Sequence, residues 1–348
     1  MSERGAASFE GEGRAPGHPE ISVVFPVCNE AENLKALHRR VQEVFRQAEL
    51  SYEMVFVDDG SQDRSLSIIK TLRVEDPRVR YLSLSRSFGQ QAALVAGISC
   101  ATGDAVIMMD ADLQHPPELI PEMVRLWREG YDIVYTRKRN AHLPALWRWQ
   151  MRLFYAIMSR LSGLRLSFGQ SDFRLIDRNI ANVLRSLQEY RKFLRGLVSW
   201  VGFKQTGLEY TVSERGGGRS KYSYRSLVTF AIDGVLSFSV VPLRLLLMFG
   251  LLVFCLTMPY VVWLSILGVR HLMGGAVDLP PGWATISVAV IWLGSVQLVA
   301  IGLVGEYVGR IYDQTKGRPE FIVRESSDSE AASSRFVAQL AGEDAHAA

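Results

Sequence analysis

Asp110-Ala111-Asp112 follows an apolar run, Ala105 to Met109, and precedes Leu113-Gln114-His115-Pro116-Pro117-Glu118. Two carboxylates one residue apart at a strand end can both reach one hard cation, and an oxygen-only ligand set suits Mg²⁺ or Mn²⁺ better than zinc. A cation held there would neutralise a leaving diphosphate. The same residues also fit a plainer role, with Asp110 ending the strand and Asp112 capping the turn before a helix opened by proline. Two more acidic turns, Pro26-Val27-Cys28-Asn29-Glu30 and Val57-Asp58-Asp59-Gly60-Ser61-Gln62-Asp63, also follow apolar runs. A cap needs one short polar residue rather than a pair, so three such turns exceed what turn chemistry requires.

A second kind of chemistry lies in Arg215-Gly216-Gly217-Gly218-Arg219-Ser220-Lys221-Tyr222. Its glycines allow close backbone approach, Arg215 can grip a phosphate bidentately and Lys221 adds a point charge, so an anionic headgroup is its natural partner. A basic flank that only sets membrane topology is the alternative.

The elements that must position these groups alternate. Strands are predicted at Ile21–Val27, Met54–Val57, Val79–Leu84, Ala105–Met109 and Ile133–Thr136. Helices are predicted at Asn33–Ala48, Arg64–Val74, Gln90–Ala101 and Pro117–Glu129. Such alternation implies an α/β domain with a mainly parallel sheet, helices on both faces and ligands at the carboxyl ends of the strands. No Gly-x-Gly-x-x-Gly follows the first strand, which leaves a metal to hold any phosphates.

Later in the chain, 245–268 and 283–305 carry no charged residue, and each suffices for the ~20 residues that span ~30 Å of hydrocarbon. Arg225 and Arg244 flank the first, Arg310, Lys316 and Arg318 follow the second, and the intervening loop has one arginine. Both ends are therefore expected on the cytoplasmic side. Leu227 to Val241 opposes apolar and polar residues and is expected to lie on the bilayer surface, whereas Leu146 to Leu161 fits either that interface or core packing. Gly305 and Gly309, four apart, permit close helix contact within a hairpin or between protomers, and Glu306 can pair with Arg310.

A net charge of +3 is too weak to argue for nucleic acid, and three scattered cysteines suggest neither a disulfide framework nor a zinc site. The polar lead up to Glu20 lacks the apolar core of a signal peptide, and Ser326 to Ala348 reads as a disordered tail. The expected layout is a lead (1–19), an α/β domain (20–222), a juxtamembrane helix (223–242), two membrane helices (243–309) and a C-terminal segment with its tail (310–348).

In its motifs the chain resembles the inverting GT-A glycosyltransferases of family 2, specifically the polyisoprenyl-phosphate glycosyltransferases: bactoprenol glucosyltransferases and, more distantly, dolichyl-phosphate mannose synthases. The resemblance runs from Ile21 to Val323. It rests on Pro-Val-x-Asn-Glu, Val-Asp-Asp-Gly-Ser, Asp-Ala-Asp-Leu-Gln, Asp-Phe-Arg-Leu-x-Asp-Arg, Arg-x-x-Gly-x-Ser-Lys-Tyr and Gly-Glu-Tyr-x-Gly-Arg together. It implies that Pro26, Cys28, Glu30 and Asp59 line a nucleoside pocket, with Asp59 accepting from base or ribose. Asp110, Ala111 and Asp112 would meet metal and donor diphosphate, Gln114 the sugar, and Arg137, Arg215, Ser220 and Lys221 the phosphates of acceptor or donor. Cys28 and Arg219 depart from the family pattern, which more often has tyrosine and an acidic residue there.

The resemblance nominates Asp172 as catalytic base. A phosphate monoester has a second pKa of ~6 and is largely a dianion at neutral pH, so it needs orientation more than deprotonation. Asp172 is therefore expected mainly to orient the acceptor, directly or through a basic residue, and to remove a proton only at lower pH; a plain pair with Arg174 is the alternative. The implied reaction moves a sugar, first among candidates from UDP-glucose, to undecaprenyl phosphate at the cytoplasmic membrane face, with Mg²⁺ or Mn²⁺, for modification of lipopolysaccharide or another cell-envelope glycan. A neutral-lipid glycosyltransferase and a non-catalytic nucleotide-sugar-binding adaptor are the rivals.

Overall fold

The computed structural model describes residues 18–138, 170–187, 189, 192, 194–210 and 282–328, with scattered positions between 243 and 273. Four strand-helix units open the chain. They are β1 (Ile21–Val27) with α1 (Leu34–Gln47), β2 (Tyr52–Asp58) with α2 (Ser65–Glu75), β3 (Val79–Leu84) with α3 (Gln90–Cys100), and β4 (Ala105–Met108) with α4 (Ile120–Arg128). The last helix is entered through a 3₁₀ turn at Pro117–Leu119, so α-helical geometry starts three residues later than the sequence pattern predicts. Proline at 121 then suits the first turn, whose N–H groups have no intrahelical acceptor.

Next come β5 (Ile133–Lys138), β6 (Gln170–Asp177), α5 (Arg178–Ser186), α6 (Leu194–Trp200), β7 (Gln205–Tyr210), the long helix α7 (Trp283–Thr315) and β8 (Val323–Ser326). One eight-stranded sheet results, in the order β7-β5-β6-β4-β1-β2-β3-β8. It is mostly parallel, as expected, through β1·β2, β1·β4, β2·β3 and β5·β7. β6 runs antiparallel to β4 and β5, and β8 antiparallel to β3. This reversal matters for chemistry: β1, β2 and β4 deliver their carboxyl ends to one rim, and β6, pointing the other way, delivers its first residues there.

β1 and β2 are apolar along most of their length because helices cover both faces of the sheet. Phe25 stacks on Phe56 with centroids 4.9 Å apart, and burial of each such ring contributes about 1.5–3 kcal/mol. α3 lies so close that a Cβ on Gly97 would sit 2.2 Å from Val24 Cγ1. Glycine is the one residue that admits this approach.

The described residues up to 210 and from Pro319 onward belong to one compact unit, and those of 243–318 to another. The C-terminal segment differs from expectation. Ser326 to Asp328, assigned to a tail by composition, are bonded into the sheet: Ser327 Oγ accepts from Tyr81 N (3.0 Å), and Arg80 pairs with both Asp328 and Glu53. Charged pairing, rather than apolar periodicity, holds this edge.

In the second unit α7 extends the expected span 283–305 by ten residues. Among the described residues one helix, Trp292–Thr315, is long and apolar enough to cross a membrane. Glu306 and Arg310 pair as expected, Nε to Oε1 3.0 Å. A Cβ on Gly305 or Gly309 would meet nothing within 4 Å among the described residues. The first expected span is described only at scattered positions. The lead before His18, the stretch 146–161, residues 215–222 with Arg215, Ser220 and Lys221, residues 223–242 where a helix is expected, and residues 329–348 lie outside the described residues.

Candidate active site

Three turns lie at the strand rim, and hydrogen bonds join the first two. Asn29 takes a left-handed conformation (φ 57°), and its Oδ1 accepts from Gln62 N (2.8 Å) and Asp63 N (3.3 Å). Asp63 in turn accepts from Ala31 N and Ser65 N, while Glu30 N donates to Ser65 Oγ at 2.9 Å. Pro26, partly buried, pairs in register with Val57. Glu30 Oε2 accepts from Asn33 at 2.6 Å.

The two aspartates of the second turn divide their labour. Asp58, fully buried, accepts from Ser61 N and Ser83 Oγ and so closes the turn. Asp59 is 4% exposed, and its oxygens accept from Ser87 Oγ (2.8 Å), Phe88 N (2.7 Å) and Gly89 N (3.0 Å). Its carboxylate thus anchors the loop that starts α3.

Cys28 is exposed, but partial burial and then the carboxylates of Asp59, Asp58, Asp63 and Glu30 push its thiol pKa upward. The thiol stays protonated at neutral pH and is no nucleophile. The acidic side chains of Glu30, Asp58, Asp59 and Asp63 thus gather around this thiol. A nucleoside diphosphate would be repelled from such a rim unless a cation reversed its sign.

Asp110 and Asp112 lie just past β4 on this rim. Asp110 is 30% exposed at its side chain, and its Oδ1 accepts from Gln90 Nε2 at 2.7 Å. Asp112 Oδ1 accepts from Gln114 N at 3.1 Å, a turn cap formed by a carboxylate that is still partly exposed. Leu113 between them has φ 62°, rare for a residue with a branched side chain; strain of this kind, about 1–3 kcal/mol, clusters at functional sites. Ala111 is buried beneath the turn. Among the described residues no group of three or more His, Cys, Asp or Glu could hold a metal by itself. The donor set therefore fits a Mg²⁺-like ion that takes one or two carboxylates and completes its shell with phosphate and water.

His115, absent from the sequence-based candidates, is 2% exposed and links this turn to β6. Asp110 N donates to His115 Nδ1 at 3.1 Å, so Nδ1 carries no proton and Nε2 does. Nε2 then donates to Ser171 Oγ at 2.8 Å, and the ring stacks on Phe173 with centroids 5.2 Å apart. Tyr210 meets the same ring edge-on at 6.5 Å; its hydroxyl pKa is raised by burial and by the charges of Asp110 and Asp112.

Asp172, next to Ser171, is gripped by Arg195 in a two-point fork, Nη2 to Oδ2 2.8 Å and Nε to Oδ1 3.2 Å, with Arg174 3.6 Å away on the other side. Burial alone would raise its pKa, but the two guanidinium charges and the Arg195 hydrogen bonds hold the carboxyl below the usual range. Burial lowers Arg174 to about 10. The alternative Asp172–Arg174 pair exists, yet Arg195 is the closer partner. Arg137 lies on β5 with Nη2 3.3 Å from the Tyr135 hydroxyl, and its buried Nε has no hydrogen-bond partner among the described residues.

Comparison with known proteins places this rim in context. Residues 22–185 match the model of "Glycosyl transferase family 2". An uncharacterised glycosyltransferase of Synechocystis sp. is 39% identical over 306 residues, 87% of this chain and 94% of that protein. A prophage bactoprenol glucosyl transferase homolog of Escherichia coli is 36% identical over 306 residues, covering 88% and 98%. The bactoprenol glucosyl transferase of a Shigella phage is 37% identical over 308 residues, again 88% and 98%.

Proposed function

Because the chain belongs to glycosyl transferase family 2, we propose that it moves a sugar from a UDP donor, first among candidates UDP-glucose, to a polyprenyl phosphate, with inversion at the anomeric carbon. Support for the acceptor comes from the names of its full-length relatives and from an apolar helix long enough to cross a membrane. In this reading a GT-A domain (20–222) works at the cytoplasmic face, carried by a juxtamembrane helix (223–242) and two membrane helices (243–309).

One observation carries the reading: Asp172, held deprotonated between two arginines, stands beside the serine that His115 ties to the Asp110–Asp112 turn. An acceptor alcohol would demand a base, and a carboxylate with a lowered pKa is a poor one. A phosphate monoester, with its second pKa of ~6, demands none. It needs its negative charge offset and its oxygen aimed at the anomeric carbon. Asp172 serves by fixing the fork of Arg195, and the guanidinium serves by binding phosphate. Arg137 and, from the loop outside the described residues, Arg215, Ser220 and Lys221 add to the same anion site.

On the donor side, Asp110 and Asp112 would hold Mg²⁺ or Mn²⁺, which supplies charge neutralisation of the departing diphosphate. Asp59 shapes the nucleoside side through the loop 87–89, Cys28 and Glu30 line the adjoining turn, and Gln114 is held by Asp112 at the sugar side.

The test is transfer from radiolabelled UDP-glucose to undecaprenyl phosphate by the full-length protein in vesicles, with and without Mn²⁺. Expected is a lipid-linked product cleaved by mild acid, as a sugar phosphodiester is, and absent after chelation or in Asp112→Ala. A product stable to mild acid would instead assign a neutral lipid acceptor. Tight UDP binding without turnover for any donor would overturn the reading altogether.

A further inference from the structure

Gln90 and Gln91 open α3, directly after the loop that Asp59 holds. Successive residues of a helix point about 100° apart, so neighbouring side chains serve different surroundings. Gln90 Nε2 donates to Asp110 Oδ1 at 2.7 Å. Gln91 Oε1 accepts from Leu194 N at 3.2 Å, satisfying an N–H of the first turn of α6 that has no acceptor within its own helix. The next residue of α6 is Arg195, which grips Asp172. Neither amide can be reversed, because a carboxylate oxygen requires a donor and a backbone N–H an acceptor.

We infer that Gln90 and Gln91 are positioning residues for the two halves of the reaction, Gln90 setting the metal-side carboxylate Asp110 and Gln91 setting, through α6 and Arg195, the acceptor-side carboxylate Asp172. The inference rests on the proposed function for what each half binds, but its geometry does not. One short stretch, 87–91, thus touches the nucleoside turn through Asp59, the metal turn through Asp110 and the acceptor side through α6. A single main-chain anchor keeps donor and acceptor groups in register.

Gln90 acts as a donor and Gln91 as an acceptor, so the same substitution separates them. Gln91→Glu retains an acceptor for Leu194 N, whereas Gln90→Glu removes the donor to Asp110 and sets a like charge against it. Mn²⁺ affinity in the presence of UDP, titrated by calorimetry on the full-length protein, is expected to change about tenfold in Gln90→Glu and to stay near wild type in Gln91→Glu and Gln91→Ala. Hydrogen exchange of the α6 amides is expected to quicken in Gln91→Ala, to recover in Gln91→Glu and to be unaffected in Gln90→Glu. With undecaprenyl phosphate as acceptor, Gln91→Ala is expected to raise its KM about fivefold to tenfold while Mn²⁺ affinity holds. If the wild type transfers no sugar to that acceptor, the proposed function fails while the titration and exchange still judge the glutamines. If both glutamates behave alike in titration and exchange, the inference is wrong.

Discussion

Asp172 and Arg195 form a two-point fork, 2.8 and 3.2 Å, between the start of β6 and the first turn of α6, with buried Arg174 closing the other side. The folded-state pKa of Asp172 is lowered, so its stabilising charge is complete above the ordinary carboxylate pKa and is lost only as pH falls through the lower folded value. Around neutrality Asp172 is ionised throughout. Asp172→Asn is expected to cut transfer by the same factor at about pH 6 and at about pH 8.5, because the acceptor ionises on its own near pH ~6. A steep pH dependence of that factor in a pH–rate profile would restore a base role. Arg195→Lys keeps the charge but loses the fork, and is expected to raise the acceptor KM about tenfold with the KM for UDP-sugar unchanged.

His115 is a hydrogen-bonded spacer between the Asp110–Asp112 turn and β6. His115→Phe would keep the stacking on Phe173 but strand Asp110 N and leave Ser171 Oγ with its bond from Phe173 N, which is expected to destabilise the domain by about 1–3 kcal/mol in a denaturant titration. His115→Asn can offer an oxygen to Asp110 N and is expected to recover part of that loss. Equal stability of all three proteins would show that the bridge contributes nothing.

Glu320 reports on the segment that returns to the sheet after α7. Lys192 N donates to Glu320 Oε1 at 3.3 Å, and burial pushes this carboxyl up to about 7, Lys192 opposing the rise and Glu189 adding to it. A carboxyl with a raised folded pKa binds a proton in the folded state that the unfolded chain has released. Stability therefore falls as pH rises from the ordinary carboxylate value toward 7. Glu320→Gln is expected to flatten that slope, worth on the order of 1–3 kcal/mol across the window, in melts recorded at several pH values. An unchanged slope would assign the pH dependence elsewhere.

The first half of the fold was legible because each parallel unit pairs an apolar strand with a helix of clear period, as in Ile21–Val27 and α1. β6 escaped because Ser171 and Arg174 are buried where apolar residues would mark a strand. β8 escaped because Val323–Ser326 holds its place through hydrogen bonds and charge, as Arg324 does with Ser83 Oγ. At the site, Asp110 and Asp112 announced themselves by type and spacing, and Asp172 through the family resemblance alone. Gln90, His115 and Arg195 did not, since their partners lie 20, 56 and 23 residues away. Asp59 was found, but the loop it anchors is visible only once Phe88 and Gly89 are placed beside it.

β8 closes the free side of β3, yet it is encoded after the apolar helix α7. During synthesis the catalytic sheet must wait with one open edge until that helix has left the ribosome. An open edge invites pairing with other chains. Completion of the sheet is thus coupled in time to production of α7, so a chain cut short before α7 would also lack the last strand of its sheet.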